Sequence, residues 1–392
     1  MSSISACYSM NHTERPVVIV GGGIIGLATA WELLRYGKQV TIVEKGRVGR
    51  GASYAAAGML AADAEVGFEE LELYQLHVES MRRWPHFARA LQEETGVDVD
   101  YRSEGTLLVA DDRDSAEALR RRYRFQKEHG MDATWMSAAE MLDVEPFLSP
   151  RLVAGVFTRA DHGVDNRKVL EALRKGILDR RGRLRELTAV RAVKPSRTHP
   201  AVVLASGEHV EAESIVLAMG AWAREIEGLP EDDRPPVRPV KGQMIELKAV
   251  SPFELKHVVR GPRAYVAPKS DGRVFVGATS EELGFDLNVT AGGLFTILEG
   301  AWEIVPGIYD LPVIDAYAGL RPASRDHAPL LGLSRAPGVV IATGHFRHGI
   351  MMTPVTAQEV ARLVVSGETS HWLAPFSPQR FNSKNRTVGP AA

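Results

Sequence analysis

The sequence of 392 residues is poor in cysteine, in long apolar runs and in excess charge of either sign. Its single cysteine, Cys7, excludes an intrachain disulfide and any metal site with several cysteine ligands, and it favours a reducing compartment. No stretch approaches the roughly 18 apolar residues of a membrane span, and residues 1–15 lack the apolar core of a secretory signal. The sequence therefore predicts a cytoplasmic protein that does not associate with a membrane.

Charge is nearly balanced, with 47 basic and 49 acidic side chains and a formal net charge of −2. Nucleic-acid binding usually needs a basic excess to neutralise phosphates, so nucleic acid is not an expected partner. The 45% hydrophobic content excludes a disordered or collagen-like chain. A chain of this length and composition buries a large core, and we expect two closely joined domains.

Several apolar runs have the character of strands buried on both faces, at 17–20, 40–43, 214–220 and 339–342. Because these runs are far apart in sequence, we expect one domain assembled from separate pieces of chain. Residues 264–277 predict an antiparallel hairpin with an Asp-Gly turn. The predicted fold class is α/β plus α+β, a Rossmann-like domain of discontinuous segments with an antiparallel β-sheet domain.

The boundaries follow from these runs. We assign residues 14–62, 150–222 and 318–370 to the nucleotide domain, residues 63–149 and 223–317 to the substrate domain, and residues 1–13 and 376–392 to flexible termini. We also expect a helix over residues 114–129 with Asp114 as its cap.

A dinucleotide-binding pattern follows the first strand. Gly21 allows a tight turn, Gly23 lets the backbone approach a pyrophosphate, and Gly26 lets the following helix pack on the sheet. Phosphates would then lie at a helix N-terminus, where free N–H groups favour negative charge. Glu44, at the end of the next strand, would accept hydrogen bonds from ribose hydroxyls, although Lys45 beside it leaves a 2′-phosphate open. The pattern predicts a bound dinucleotide.

The segment after Glu44 favours FAD over NAD(P). Residues 52–59 are almost all very small, and such a run lets backbone lie against a large flat ring system. A flexible linker is the alternative, but linkers are usually more polar. Attachment of a flavin through cysteine could use only Cys7, which precedes the first strand, so we expect non-covalent FAD.

Residues 344–350 (GHFRHGI) connect a buried strand to the final helix. A helix N-terminus there would place partial positive charge where a reduced flavin gathers negative charge. An ordinary strand–helix turn with packed histidines is the alternative.

Arg321 lies in the segment AGLRP, on a rigid and partly buried stretch. A buried arginine needs an anion, which would be a substrate carboxylate or a structural acid. Tyr265, at the start of a predicted strand, could bind the same carboxylate or could be a core aromatic.

Together these motifs resemble the D-amino-acid oxidase-like flavoproteins, and among them the glycine oxidases of thiamine biosynthesis. The resemblance covers about residues 16–367. It depends on VVIVGGGIIG at 17–26, SYAAAGML at 53–60, PVKGQ at 239–243, YVAPKSDGRVFVGAT at 265–279, AGLRP at 318–322 and GHFRHGI at 344–350.

The resemblance implies oxidation of a small amino acid to an imine by hydride transfer to flavin N5. Oxygen would then yield hydrogen peroxide, and the imine would give a keto acid and ammonia or supply thiazole assembly. It assigns substrate binding to Arg321, Arg347 and Tyr265. No catalytic acid or base and no metal is assigned, because a neutral amine can lose hydride without a protein base. It assigns cofactor contacts, beside Gly21, Gly23 and Gly26, to Ile24, Ile25, Glu44, Lys45, Ala52, Ser53, Ala57, Gly58, Met59, Val190, His345, Phe346, Arg347, His348, Gly349, Ile350 and Met351.

Other functions stay open. The same scaffold could serve a D-amino-acid or sarcosine-type dehydrogenase that passes electrons to an acceptor other than oxygen. A flavin-binding protein without catalysis is a second alternative, although it would leave Arg321 and Tyr265 unexplained. The expected partners are the small amino acid and oxygen, and a homo-oligomer is possible.

Overall fold

The computed structural model describes residues 15–381, so Cys7 lies outside the described part of the chain. Within this range it contains nineteen β-strands, nine α-helices and five 3-10 helices. The strands are β1 (Val17–Val20), β2 (Val40–Val43), β3 (Met59–Leu60), β4 (Thr106–Ala110), β5 (Ala133–Ser137), β6 (Ala154–Thr158), β7 (His162–Gly163), β8 (Arg183–Arg185), β9 (Val190–Lys194), β10 (Ala201–Leu204), β11 (His209–Glu211), β12 (Ile215–Leu217), β13 (Arg238–Lys248), β14 (Val258–Arg260), β15 (Tyr265–Pro268), β16 (Arg273–Gly277), β17 (Val313–Ala323), β18 (Leu330–Leu333) and β19 (Val339–Thr343). The helices are α1 (Ile24–Arg35), α2 (Ala52–Ala55), α3 (Ala62–Glu65), α4 (Leu71–Thr95), α5 (Arg113–Glu128), α6 (Ala138–Val144), α7 (Asn166–Asp179), α8 (Ala291–Ile304) and α9 (Thr353–Ser366). None of these helices is both long and apolar enough to cross a bilayer.

A six-stranded sheet has the order β18-β19-β12-β1-β2-β8. The strands from β19 to β8 are parallel, and β18 is an antiparallel edge strand. Alternate residues of β1 face opposite layers, as the period of a strand requires. Ile19 packs with side chains of α1, α7 and α9, whereas Val18 packs against the small antiparallel sheet β11-β10-β9. Burial on both faces explains why β1 is continuously apolar, and it confirms the predicted α/β layer.

An eight-stranded sheet has the order β17-β13-β16-β15-β14-β4-β6-β5. Its pairings are antiparallel except for β14 with β4. Helix α8 covers one face, where Ile297 and Ile304 pack with Val266 and Val276. The opposite face carries Tyr265 and the residues beside it towards the six-stranded sheet.

Two elements pack with the domain other than the one to which the sequence analysis assigned them. The domain assignment as a whole stays a prediction. Strand β6, within residues 150–222, pairs with β4 and β5 in the eight-stranded sheet. Helix α4, within residues 63–149, packs on α1, α7 and α9. Its Trp84, Phe87 and Leu91 belong to the same hydrophobic core as Trp31 of α1.

Two local predictions were wrong. Residues 376–381 are ordered in 3-10 turns, since Phe376 is buried and Arg380 pairs with Asp326 at 2.8 Å; the rest of the predicted flexible termini lies outside the described residues. The cap of α5 is Asp112, whose side chain accepts from the backbone N–H of Ser115 at 2.7 Å.

Candidate active site

One cavity of about 810 Å³ lies between the two large sheets. On one side it is lined by the carboxyl ends of β1, β2, β12 and β19, and on the other by β13, β15, β16 and β17. Ligands of parallel α/β sheets bind at the carboxyl ends of the strands. Every residue that we assigned to cofactor or substrate lines this cavity except Gly26, which lies where α1 crosses the Gly21 carbonyl and so has the packing position expected of it.

The β1–α1 turn forms the phosphate end. Gly21 has φ +109°, and a Cβ there would overlap the Ala218 carbonyl oxygen, so only glycine fits. Helix α1 has neither a side-chain cap nor an acidic residue in its first turn. The N–H groups of its first turn are therefore available to an anion, apart from that of Ile24, which donates to Ser53 Oγ at 3.0 Å.

Glu44 and Lys45 line the same end of the cavity. Backbone N–H groups of Gly22 and Gly46 donate to the Glu44 carboxylate at 2.7 and 2.8 Å, which fixes its position at the end of β2. The Lys45 ammonium lies 3.4 Å from the ring centroid of Trp222, and burial lowers its pKa. Lys45 thus makes a cation–π contact with the indole ring of Trp222, a cavity residue that the sequence analysis missed.

The segment of small residues, 52–59, contains α2, and side chains from other parts of the chain hydrogen-bond to its backbone. The ammonium of buried Lys269 donates to the carbonyl oxygens of Ala57 and Val164 at 2.7 and 2.6 Å. Burial lowers the pKa of Lys269 to about 8. Asn166 Nδ2 donates to the Ser53 carbonyl at 2.7 Å. These ties fix the backbone that faces the cavity, and a flat ring system can lie against it.

The turn between β19 and α9 closes the cavity. His345 Nε2 lies 3.1 Å from Thr356 Oγ1, and burial together with His348 lowers the pKa of His345 to about 3, so this ring is neutral. Two donors from α4, Ser80 Oγ and Trp84 Nε1, hold the Met351 carbonyl at 2.7 and 2.8 Å.

Arg321 lies on β17 opposite β13. Its Nη1 donates to the carbonyl oxygens of Thr279 and Lys241 at 3.0 and 3.3 Å, and the guanidinium lies over Gly242, where a Cβ would overlap it. Among residues 15–381, no carboxylate lies within 4.0 Å of it. Burial lowers its pKa, yet guanidinium groups stay protonated in proteins. The cavity wall therefore contains a cation that no structural Asp or Glu of the described residues neutralises by direct pairing.

Tyr265 lies beside this guanidinium. Burial raises the pKa of its hydroxyl to about 12, so it stays protonated. The hydroxyl donates to Met244 Sδ at 3.2 Å, a weak acceptor that a carboxylate oxygen can replace. Arg321 and Tyr265 thus converge as two donors.

A carboxylate that the sequence analysis missed lines the same end. Glu65, at the end of α3, forms an ion pair with Arg260. Its Oε2 lies 3.5 Å from Arg347 Nε and 3.3 Å from His348 Nδ1. Burial alone would raise the pKa of Glu65, but Arg260, His348 and Arg347 hold it well below its ordinary value. The sequence does little to single out Glu65, because Asp63 is a second acid in the same run of small residues.

The residues fit FAD at each part of the cavity: uncapped N–H groups for phosphate, Glu44 for ribose, and small residues for the flat rings. Val190 also lines the cavity, and its contact with adenine stays a prediction. Cys7 lies outside the described residues, so non-covalent attachment stays a prediction.

Comparisons with known proteins identify the family of this chain. Residues 16–363 match the family described as FAD dependent oxidoreductase (DAO). Glycine oxidase of Geobacillus kaustophilus is 35% identical over 370 residues, which cover 94% of this chain and 97% of that protein. The bifunctional protein ThiO/ThiG of a Synechocystis strain is 34% identical, and this chain spans only 54% of its length.

Solved structures give the same result. The crystal structure of glycine oxidase from Geobacillus kaustophilus superposes with a TM-score of 0.87 at 34% identity, over 94% of this chain and 99% of that one. Iminodiacetate oxidase from a Chelativorans strain superposes with a TM-score of 0.83 at 28% identity, over 92% and 98%. The chain therefore belongs to the DAO family of FAD-dependent oxidoreductases, and it is an FAD-dependent amino acid oxidoreductase.

Proposed function

We propose that this enzyme is an oxidase of glycine or another small amine, with sarcosine and small D-amino acids as the other candidates. The amino acid loses two electrons and two protons to become an imine, and water converts the imine to a keto acid and ammonia. Oxygen takes up the two electrons and two protons and leaves as hydrogen peroxide.

The observation that carries this proposal is the charged guanidinium of Arg321, buried in the cavity wall without a carboxylate partner within 4.0 Å among the described residues. A planar guanidinium binds a carboxylate through two parallel hydrogen bonds. The Tyr265 hydroxyl supplies a further donor on the same side. An amino acid held in this way presents its α-carbon in one orientation, which is what hydride transfer requires.

The bound FAD supplies the two-electron acceptor. The protein orients the substrate through Arg321, and Lys269 fixes the backbone of Ala57 on the cofactor side. We assign no general acid or base, because a neutral amine can lose hydride without a protein base. Arg347 would lie beside the substrate, with its guanidinium held by the Glu65 and Glu70 carboxylates at 3.5 and 3.6 Å.

Two finer points belong to the same proposal. Similarity to glycine oxidase and to ThiO/ThiG proteins supports a role in supplying the imine for thiamine thiazole synthesis. We also propose a cytoplasmic location, because a single cysteine fits a reducing compartment.

The deciding experiment is an anaerobic titration of the purified protein with glycine, followed by its visible spectrum. Bleaching by glycine and recovery in air, with one hydrogen peroxide released per amine consumed, would support the oxidase. Bleaching by sarcosine or D-alanine alone would move the substrate. Bleaching that recovers only with an added carrier would identify a dehydrogenase, and a protein that cannot be loaded with FAD would contradict the proposal.

A further inference from the structure

We propose that Glu65 restricts this enzyme to substrates with one carboxylate, by occupying two arginines that would otherwise bind a second carboxylate. The inference rests on the proposed function, because it concerns which amino acids the same site accepts. It makes Glu65 a specificity-determining residue.

Six arginines line the cavity. Arg47 and Arg50 lie in the segment after β2, and Arg263 pairs with Glu299 at 2.8 Å; the other three, Arg260, Arg321 and Arg347, lie at the substrate end. Arg260 is paired with Glu65, and Arg347 lies 3.5 Å from the Glu65 carboxylate and 3.6 Å from that of Glu70. Of the three, only Arg321 lacks a carboxylate partner in the described part of the chain. The substrate end therefore offers one guanidinium without a carboxylate partner, which suits one carboxylate.

Glu65 keeps its charge in this position. The cations around it hold its pKa well below the ordinary value in spite of burial. His348 Nε2 accepts from Arg347 Nε at 3.1 Å, and its Nδ1 lies 3.3 Å from Glu65 Oε2, to which it can donate. Donors and cations thus surround the Glu65 carboxylate on several sides, and they keep it deprotonated.

The backbone that carries Glu65 is held on both sides. Asp161 accepts from the N–H groups of Asp63 and Ala64 at 2.9 and 3.0 Å. Arg122 Nη1 donates to the carbonyl oxygens of Ala64 and Val66 at 2.8 and 3.2 Å. Glu65 is therefore a fixed part of the cavity wall.

Glu65 also acts directly on an acidic substrate. Its charge is close enough to Arg321 and Tyr265 to influence the pKa of both groups. A second carboxylate on a substrate bound to Arg321 would meet this anion, and like charges brought together out of water are strongly unfavourable. Glycine and sarcosine carry no such group.

The test uses the holoenzyme and the Glu65→Gln variant, which keeps the shape of the side chain and removes its charge. Activity is measured with glycine, D-aspartate and iminodiacetate. We expect the ratio of kcat/KM for either diacid to that for glycine to rise about tenfold or more, chiefly through a lower KM for the diacid. Glu79→Gln is the matched control, because Glu79 bridges Arg82 and Arg83 outside the cavity, and it should leave the ratio unchanged.

A second measurement does not depend on turnover. Acetate and malonate are titrated into each holoenzyme, and their binding is followed by the visible absorbance of the flavin. Glu65→Gln should strengthen malonate binding relative to acetate, and the double variant Glu65→Gln/Arg260→Gln should reverse part of that gain, because Arg260 would be one of the freed cations.

Several results would overturn the inference. An unchanged or lower preference for diacids in Glu65→Gln, or a wild-type enzyme that already prefers iminodiacetate to glycine, would contradict it. A wild type without amine turnover would contradict the proposed function alone, because the comparison of malonate with acetate would still judge Glu65.

Discussion

Arg321 shows how much one side chain determines in this cavity. Two backbone carbonyl oxygens accept hydrogen bonds from its guanidinium, and the absence of a side chain at Gly242 leaves room for it. None of these groups neutralises its charge. A substrate carboxylate would supply the missing counter-charge, and we propose that Arg321 thereby selects amino acids over simple amines.

We expect Arg321→Met to lower kcat/KM for glycine by roughly a hundredfold or more, because a charge-assisted hydrogen-bonded pair is lost. Arg321→Lys should recover only part of it, since an ammonium cannot grip a carboxylate at two points. Steady-state kinetics measure both. Arg335→Met is the control, because Arg335 pairs with Asp233 at 2.8 Å and does not line the cavity; equal activity of Arg321→Met and wild type would contradict the assignment.

Lys269 acts at the scale of an element, because it joins the segment after α2 to the segment before α7. It reaches the carbonyl oxygens of Ala57 and Val164 from the end of β15. The position of the backbone at Ala57 therefore depends on a side chain more than 200 residues later in the sequence.

We expect Lys269→Met to weaken FAD binding about tenfold, because the loss of two hydrogen bonds frees the backbone that faces the cofactor. Titration of FAD into the apoprotein, followed by flavin fluorescence, measures this. Lys248→Met is the matched control, since exposed Lys248 also donates to a backbone carbonyl, that of Asp271 at 2.8 Å. A variant that binds FAD as tightly as wild type would show that the tie is not needed.

The C-terminal 3-10 turns form a second element whose role is testable. Phe376 is buried in the main core, in contact with the α/β layer. We expect Phe376→Ala to lower the free energy of unfolding by about 3 kcal/mol, measured by urea unfolding at a fixed excess of FAD. Phe285→Ala, at an exposed position, should have little effect; similar losses in the two variants would remove the core role of Phe376.

At the scale of the whole molecule, buried Lys269 also links stability to pH. Its pKa is about 8 in the folded protein against an ordinary value of 10.5. Between these values the unfolded chain binds the proton and the folded chain does not, so stability rises with pH across this window.

We expect the free energy of unfolding of the wild type, relative to Lys269→Met, to increase by about 3 kcal/mol from pH 8 to pH 10.5. Urea unfolding at several pH values, with FAD in fixed excess, measures the difference. Parallel curves for the two proteins would contradict the assigned pKa.

The sequence was sufficient wherever local patterns determine structure. Continuous apolar runs predicted β1, β2 and β19, and the glycine spacing placed the turn at Gly21. It was insufficient where partners are chosen in three dimensions. The pairing of Glu65 with Arg260 joins residues 195 positions apart, and no local pattern marks it.

Small errors at the ends of elements have a similar origin. Asp112 and Asp114 are both suitable caps by residue type, and only the backbone geometry at Asp112 directs its carboxylate to Ser115. Residues 376–381 were predicted to be flexible, but one buried phenylalanine and one ion pair order the turns.

The strand order of the six-stranded sheet has a consequence for synthesis on the ribosome. Strand β12 lies between β1 and β19, so its far edge stays unpaired until residue 343 has been made. The nascent chain therefore exposes an apolar strand edge during the translation of more than 100 residues, a state prone to association with other chains. A ribosome that stalls in this interval would release a chain without a complete cofactor cavity, so yield in the cell should depend on chaperones and on the rate of elongation.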